Sequence, residues 1–356
     1  MVSDLTSKGT KSLPFNFNSL GSMVNLRDCL IFAADQGKGS ELYSFSLNGK
    51  DTKPQLIKNL VVDGSSSPQE LTVLGDRVFF TASNGKRREL YVFDSQNESV
   101  STVATAHKIT VPADPVHLTV VGKKLFFSAG EAEEVKKGKK TKKVYQRRYY
   151  MLDTEKPSKI HGFPFFDKHT NQKHPVVDGN KLYFKIHEGP ERYEILCIDT
   201  DATQPKVEVI GDGSEGFSDC LTIIGDKMYF RGFEGPKNIG NKELWSVDLT
   251  QPAKRAVLEE EICPGAKGAF PFALVAMEGK LYFNGRKNGI DSHIMVFDPN
   301  TKAPSRNLPD SQDASFLSKS EKGTLRFVRV VGKEIHFMEY NPVTAKSTCL
   351  LTVPTT

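Results

Sequence analysis

Apolar residues along this chain gather in short runs bounded by Gly, Asp, Asn and Pro, and no window carries a helical period. One run recurs: a turn residue, a basic residue, then an apolar–aromatic triplet. It reads GDRVFF at Gly75, GKKLFF at Gly122, GNKLYF at Gly179 and GDKMYF at Gly225. EGKLYF at Glu278, GKEIHF at Gly332 and a degenerate RDCLIF at Arg27 complete seven copies. Their closing aromatics, Phe32, Phe80, Phe127, Phe184, Phe230, Phe283 and Phe337, are spaced by 48, 47, 57, 46, 53 and 54 residues.

Each copy has an apolar run before it, such as ELTVLG, HLTVVG or CLTIIG. After it come a strand-like segment such as ELYSF, ELYVFD or ELWSVD and a further β-rich stretch such as KVEVIG. Four short strands per unit at a fixed period near fifty residues is the pattern of a propeller blade. Such a unit cannot bury both of its faces alone. The expectation is an all-β, seven-bladed β-propeller with four antiparallel strands per blade, in one domain over 1–356. The blades fall near 20–60, 68–106, 115–160, 173–210, 218–260, 271–306 and 323–356. On this reading the seventh unit ends one strand short, and KSLPFNFN (11–18) supplies the outer strand that closes it, which removes an exposed edge.

Composition adds little to that picture. The chain is 38% hydrophobic and 26% charged, with 23 Phe and 10 Tyr against one Trp, as suits pleated surfaces. It holds no apolar stretch of membrane-spanning length and no apolar leader near its first residues, so the expectation is cytoplasmic, or secreted after loss of a leader. Five cysteines, Cys29, Cys197, Cys220, Cys263 and Cys349, lie far apart with no C-x-x-C, and read as small buried hydrophobes.

Charge changes the picture more. The net charge is +5, and the segment 131–148, with eight basic residues and three glutamates, carries all of it. The hairpin of the third blade is thus expected to hold a basic insertion over 131–147. Its cluster is Lys136, Lys137, Lys139, Lys140, Lys142, Lys143, Arg147 and Arg148. The plain reading is a solvated hairpin tip that aids solubility; as an occupant a protein partner is expected, with another anionic surface as an alternative, and nucleic acid is disfavoured because few aromatics interleave the lysines.

Two stretches carry a resemblance. The segment 41–83 opens ELYSFSLNGKD and continues DGSSSPQELTVLGDRVFFTAS; 243–285 opens ELWSVDLT and continues CPGAKGAFPFALVAMEGKLYFNG. Both resemble the bacterial repeat family with an ELWxxDGT core followed by PGSSSSxPxxLTxxGxxLYFxA. That resemblance implies a propeller with a binding role, and implies no one chemistry. There is no sialidase Asp-box, kelch double glycine or WD40 signature, and Trp245 alone cannot build a quinone-docking set.

Binding groups usually sit on loops over a rigid frame. Three enlarged loops are expected on one side of one face: the basic hairpin, the segment 159–175 with His161, His169 and His174, and the segment 231–243 with Phe233 and Lys237. Phe165, Phe166 and Phe233 are the aromatic binding candidates there. Five residues before the anchor glycines of blades two to five stand Glu70, His117, His174 and Cys220, which the fold would bring round a central channel. These are metal-ligand types, yet inter-blade hydrogen bonding is the plainer use. No cofactor or metal is expected, and GDGSEGFSD at 211–219 reads as an inter-blade turn rather than a calcium loop.

The function expected from these residues is a non-catalytic propeller that presents a loop-rich, partly basic face as a scaffold. One alternative is a carbohydrate-binding propeller using Phe163, Phe165, Phe166 and Phe233. The other is a hydrolase or lyase with its site at the channel mouth, using His117 or His174.

Overall fold

The computed structural model describes residues 16–354, except 49–52, 138–139, 158–159, 167–174, 188–192, 203–204, 214–215, 218–220, 234–239, 252–253, 266 and 302. The chain is a seven-bladed β-propeller. Its blades follow one another along the sequence as four-stranded antiparallel meanders, and Lys254–Arg255 adds a short parallel pairing to the outer strand of blade four, Val207–Gly213. It divides into two compact units, residues 13–182 with 199–205 and residues 183–198 with 206–356.

In the first unit, blade one is Ser19–Leu26, Cys29–Asp35, Ser40–Ser46 and Gln55–Lys58. Blade two is Gln69–Leu74, Arg77–Ser83, Arg88–Asp94 and Ser99–Thr102. Blade three is Ala113–Val121, Lys124–Lys137, Lys140–Asp153 and Ile160–Phe166. Blade four, whose residues fall in both units, is Val176–Asp178, Lys181–His187, Tyr193–Asp199 and Val207–Gly213. In the second unit, blade five pairs Gly216–Phe217 and Thr222–Ile224 with Lys227–Phe233, followed by Glu243–Asp248 and Val257–Glu260. Blade six is Phe272–Met277, Lys280–Arg286, Ser292–Asp298 and Ala303–Asn307. Blade seven is Ala314–Lys319, Leu325–Val331, Glu334–Asn341 and Lys346–Pro354. One helix, Val103–His107, lies between blades two and three, capped by Thr102 Oγ1, which accepts the Thr105 N–H at 3.1 Å. Among the described residues no helix is long and apolar enough to cross a membrane.

The recurring triplet marks the second strand of a blade, and both of its faces are buried. In blade two, Val78 and Phe80 pack with Leu26, Ile31 and Leu42 of blade one. Phe79 faces the other way, among Leu118, Leu125 and Phe127 of blade three. A strand buried on both sides reads as a continuous apolar run, and each phenylalanine so enclosed contributes about 2 kcal/mol. Along the row, Phe32, Phe80 and Phe127 lie against Tyr43, Tyr91 and Tyr150 on the third strand, with ring centroids 6.0, 5.5 and 5.8 Å apart.

The turns also repeat. Gly75, Gly122, Gly179 and Gly225 open the turn between first and second strands at φ 55–61°, a region open to glycine at little cost. At the far end of the third strand an aspartate accepts the N–H two residues on: Asp94 from Gln96, Asp153 from Glu155, Asp199 from Asp201, Asp248 from Thr250 and Asp298 from Asn300, all within 2.8–3.1 Å. These Asx turns explain the aspartate that closes the third-strand motif.

Three expectations are corrected. Blade seven begins at Ala314, not near 323, and its outer strand is its own Lys346–Pro354, paired with Glu334–Asn341. That place is thus already taken; of the segment 11–18 only Asn16, Phe17 and Asn18 are among the described residues, and Phe17 packs on Phe32 and Tyr43 of blade one. The error is one of phase. GKEIHF lies on the turn between the second and third strands, and the buried aromatic opposite the third strand is Phe327, facing Met338 as Phe283 faces Met295.

Second, the basic insertion is not a loop. Lys124–Lys137 and Lys140–Asp153 stay in register from the Lys124–Asp153 pair to the Lys137–Lys140 pair. Third, blade three runs on to Phe166. Ile160–Phe166 is its outer strand, and not a piece of an inter-blade loop.

Candidate functional site

The first strands carry a repeated distortion. Ser67 and Glu70, Asp114 and His117, Phe270 and Ala273, and Asp313 and Phe316 all have left-handed backbones, with φ between 44° and 60°. The members of each pair stand three residues apart. Between Gln69 and Thr72, Phe272 and Val275, and Ser315 and Ser318 the pairing with the second strand slips, so each second member sits in a β-bulge. A non-glycine residue there costs roughly 1 kcal/mol, and its repetition marks a built feature of the fold.

Glu70 and His117 thus occupy equivalent positions, as the repeat spacing requires; His174 and Cys220 lie outside the described residues. Glu70 reaches into the next blade, where its Oε2 accepts the Leu118 N–H at 3.1 Å. Ser22 has the same role in the preceding blade, its Oγ accepting the Leu71 N–H at 3.3 Å. His117 Nδ1 lies 3.3 Å from Ser128 Oγ. Ser128 has no exposed surface, so this hydroxyl–imidazole pair holds the histidine in place and offers no accessible nucleophile. Among the described residues no group of three His, Cys, Asp or Glu side chains could hold a metal ion.

Arginines brace the same bulges. Arg88 donates from Nη2 to the Ser67 carbonyl at 3.0 Å, and from Nη1 to Thr81 O at 2.9 Å and Oγ1 at 3.0 Å. Burial draws its pKa below the ordinary value, while nearby Asp114 and Glu70 act the other way. Arg147 donates to the Asp114 carbonyl, the equivalent bond in blade three. Placed by sequence in the surface cluster, Arg147 serves as a strut within its own blade.

The remaining sequence candidates are dispersed. Arg148 is half-buried, its backbone opposite Ala129 on one side and Phe166 on the other. Lys136, Lys137, Lys140, Lys142 and Lys143 lie along the extended hairpin, and Lys139 lies outside the described residues. Phe165 and Phe166 belong to the outer strand of blade three, and Phe233 is half-buried on blade five, its backbone opposite Gly216. Phe163 is buried against Phe126 and His161, which removes it as a sugar platform.

Two glutamates carry a role that spacing alone did not reveal. Glu41 is buried at the head of a third strand, and its carboxylate accepts from Leu60 N at 3.2 Å, Ser66 N at 2.9 Å and Ser66 Oγ at 2.6 Å. Glu243, in blade five, accepts from Ile262 N at 2.8 Å, Cys263 N at 3.2 Å and Ala269 N at 3.1 Å. Each one pins the loop that leads to the next blade. Burial pushes Glu243 up to about 7, against the pull of those three N–H groups and with a push from Glu261. The available signal was a glutamate heading two apolar strands, with Ser- or Gly-rich loops some twenty residues later.

The first unit also holds a cleft of about 540 Å³ between blades one and two. It opens beside the turn Arg27–Asp28, over a floor that includes Leu26, Ile31, Ile57 and Phe93. None of the sequence candidates lines it.

No family model matches the chain, and no curated protein matches it. Solved structures do. A prolyl endopeptidase, in a study of inter-domain dynamics in catalysis and specificity, aligns over 94% of this chain and 50% of its own, with a TM-score of 0.58 at 16% identity. A post-proline cleaving enzyme from Rickettsia typhi aligns over 94% and 53%, with a TM-score of 0.57 at 8% identity. The β-propeller domain of the Trilobed protease from Pyrococcus furiosus, described as having an open velcro topology, aligns over 94% of this chain and 98% of its own, with a TM-score of 0.52 at 13% identity. The chain spans about half the length of the two whole enzymes. At these identities the likeness establishes the fold. It also corrects the functional expectation: the propellers this chain resembles are carried by peptidases, and the non-catalytic scaffold does not stand against them.

Proposed function

We propose that this chain is a propeller of the peptidase type and that it works in the hydrolysis of peptide bonds. The observation carrying this reading is the alignment of 94% of the chain with a prolyl endopeptidase. It replaces the scaffold with the hydrolase alternative. The buried Ser128 excludes the His117–Ser128 pair as a nucleophile and base, and in this reading the chain receives and orients the peptide. The hydrolytic step falls to a catalytic module acting with the propeller.

Glu70 and His117 are the residues assigned to that task. An extended peptide presents alternating N–H and C=O groups and often a charged end. A partly exposed carboxylate and an imidazole, both held on rigid first-strand bulges, suit such a ligand. The test is fluorescence anisotropy with labelled hexapeptides, with and without an internal proline. Saturable binding that falls at least tenfold in His117→Ala supports the reading. Absence of peptide binding by a folded protein overturns it.

A further inference from the structure

The cleft between blades one and two plays no role in the peptide reading, and it has the dimensions and lining of a ligand site. Its volume, about 540 Å³, falls within the range of roughly 300–1,000 Å³ typical of small-molecule pockets. The floor is apolar: Leu26, Ile31 and Phe93 belong to the core shared by the two blades, and Ile57 packs against it. The rim is polar, and among the described lining residues three are charged, Arg27, Asp28 and Glu98.

Arg27 is already engaged. It pairs with Asp76 across the blade boundary, and Gln96 Nε2 donates to the same carboxylate at 2.8 Å. These hydrogen bonds, that of Gln96 foremost, hold the Asp76 carboxyl below its ordinary range. Asp28 and Glu98 are both exposed, and both line the cleft. An apolar floor beneath two carboxylates is complementary to one kind of ligand.

We propose that this cleft binds a small amphipathic ammonium ion, its apolar body on Ile31, Ile57 and Phe93 and its charged nitrogen toward Asp28 and Glu98. The Arg27–Asp76 pair takes the Arg27 charge out of competition, so the site discriminates by charge as well as by shape. This proposal stands independently of the peptide reading.

Isothermal titration at low ionic strength with 4-phenylbutylamine, 4-phenylbutan-1-ol and 4-phenylbutyrate separates the contributions. The amine is expected to bind at least about tenfold more tightly than the alcohol, and the acid more weakly than both. That preference is expected to collapse in Asp28→Asn/Glu98→Gln, two exposed and conservative changes. Ile57→Trp, which fills the cleft, is expected to remove binding of amine and alcohol alike. Amine-induced NMR shifts at Ile57 and Phe93 locate the site without any substitution. Equal binding of all three probes, or shifts confined to residues away from the cleft, overturns the proposal.

Discussion

The Glu243 carboxylate lies 3.1 Å from the backbone nitrogen of Ala269, and through that bond a third strand of blade five fixes the path of the chain into blade six. Ile262 and Cys263 supply two further N–H donors, so one side chain satisfies three backbone groups of a buried loop. Truncating it leaves all three without their acceptor. Glu243→Ala is expected to cost about 3 kcal/mol, and Glu243→Gln, which keeps one oxygen, about 1 kcal/mol. Urea unfolding followed by Trp245 fluorescence measures both.

The same residue gives stability a pH dependence. Its pKa rises from the ordinary 4.5 in the unfolded chain to about 7 in the folded one, chiefly through burial. Between those values the folded state keeps a proton that the unfolded chain has released. Its contribution to stability therefore falls as pH rises from about 4.5 to 7, and levels off above. Across pH 4–8 the melting temperature of the wild type is expected to fall relative to that of Glu243→Gln as the pH increases, since the glutamine variant lacks this slope.

Gly268 and Gly75 share a left-handed backbone, at φ +56° and +61°, but not their surroundings. A Cβ on Gly268 would stand 2.4 Å from Lys242 N, whereas one on Gly75 would meet nothing within 4 Å. Gly75→Ala is expected to cost about 1 kcal/mol, the backbone strain alone. Gly268→Ala adds a collision with main chain and is expected to cost about 3 kcal/mol or more. Thermal denaturation of the two variants side by side reads the difference.

Phe327→Ala is expected to destabilise by about 4 kcal/mol, because it empties a site enclosed by the last two blades. Phe337, half-buried on the next strand, is expected to lose about 1 kcal/mol on the same change. Comparable losses at the two positions would contradict the strand order of blade seven.

Most of the fold was legible because the second strand of each blade is buried on both faces. That burial writes an uninterrupted apolar triplet, and the glycine before it marks a left-handed turn. The seventh blade misled because Val330 and Val331 precede Gly332 just as Val120 and Val121 precede Gly122. A turn between second and third strands can therefore imitate one between first and second. Six consecutive residues of ASFLSK, with only Phe316 and Leu317 large and apolar, gave the true first strand no comparable signal.

The candidate site was less legible. Repeat spacing located Glu70 and His117 on equivalent bulges, since a period fixes position along every blade. It could not reveal that Arg147 turns back to the Asp114 carbonyl, because a guanidinium in a basic run reads as surface charge. Nor could it show the work of Glu41 and Glu243, whose partners are backbone N–H groups that have no residue identity.

The long hairpin of blade three has a consequence for how the polypeptide can be divided. Past Gly130 and Arg148 its strands pair with each other and no longer with their outer neighbours, so the ladder carries the chain seven further residue pairs, about 23 Å, beyond the sheet. Trypsin acting at Lys137 or Lys140 would cut at the tip of that ladder and leave the rest of its fourteen rungs zipped. The molecule would then persist as two polypeptides paired strand to strand within blade three, and the tip is the natural junction at which to express it in two pieces.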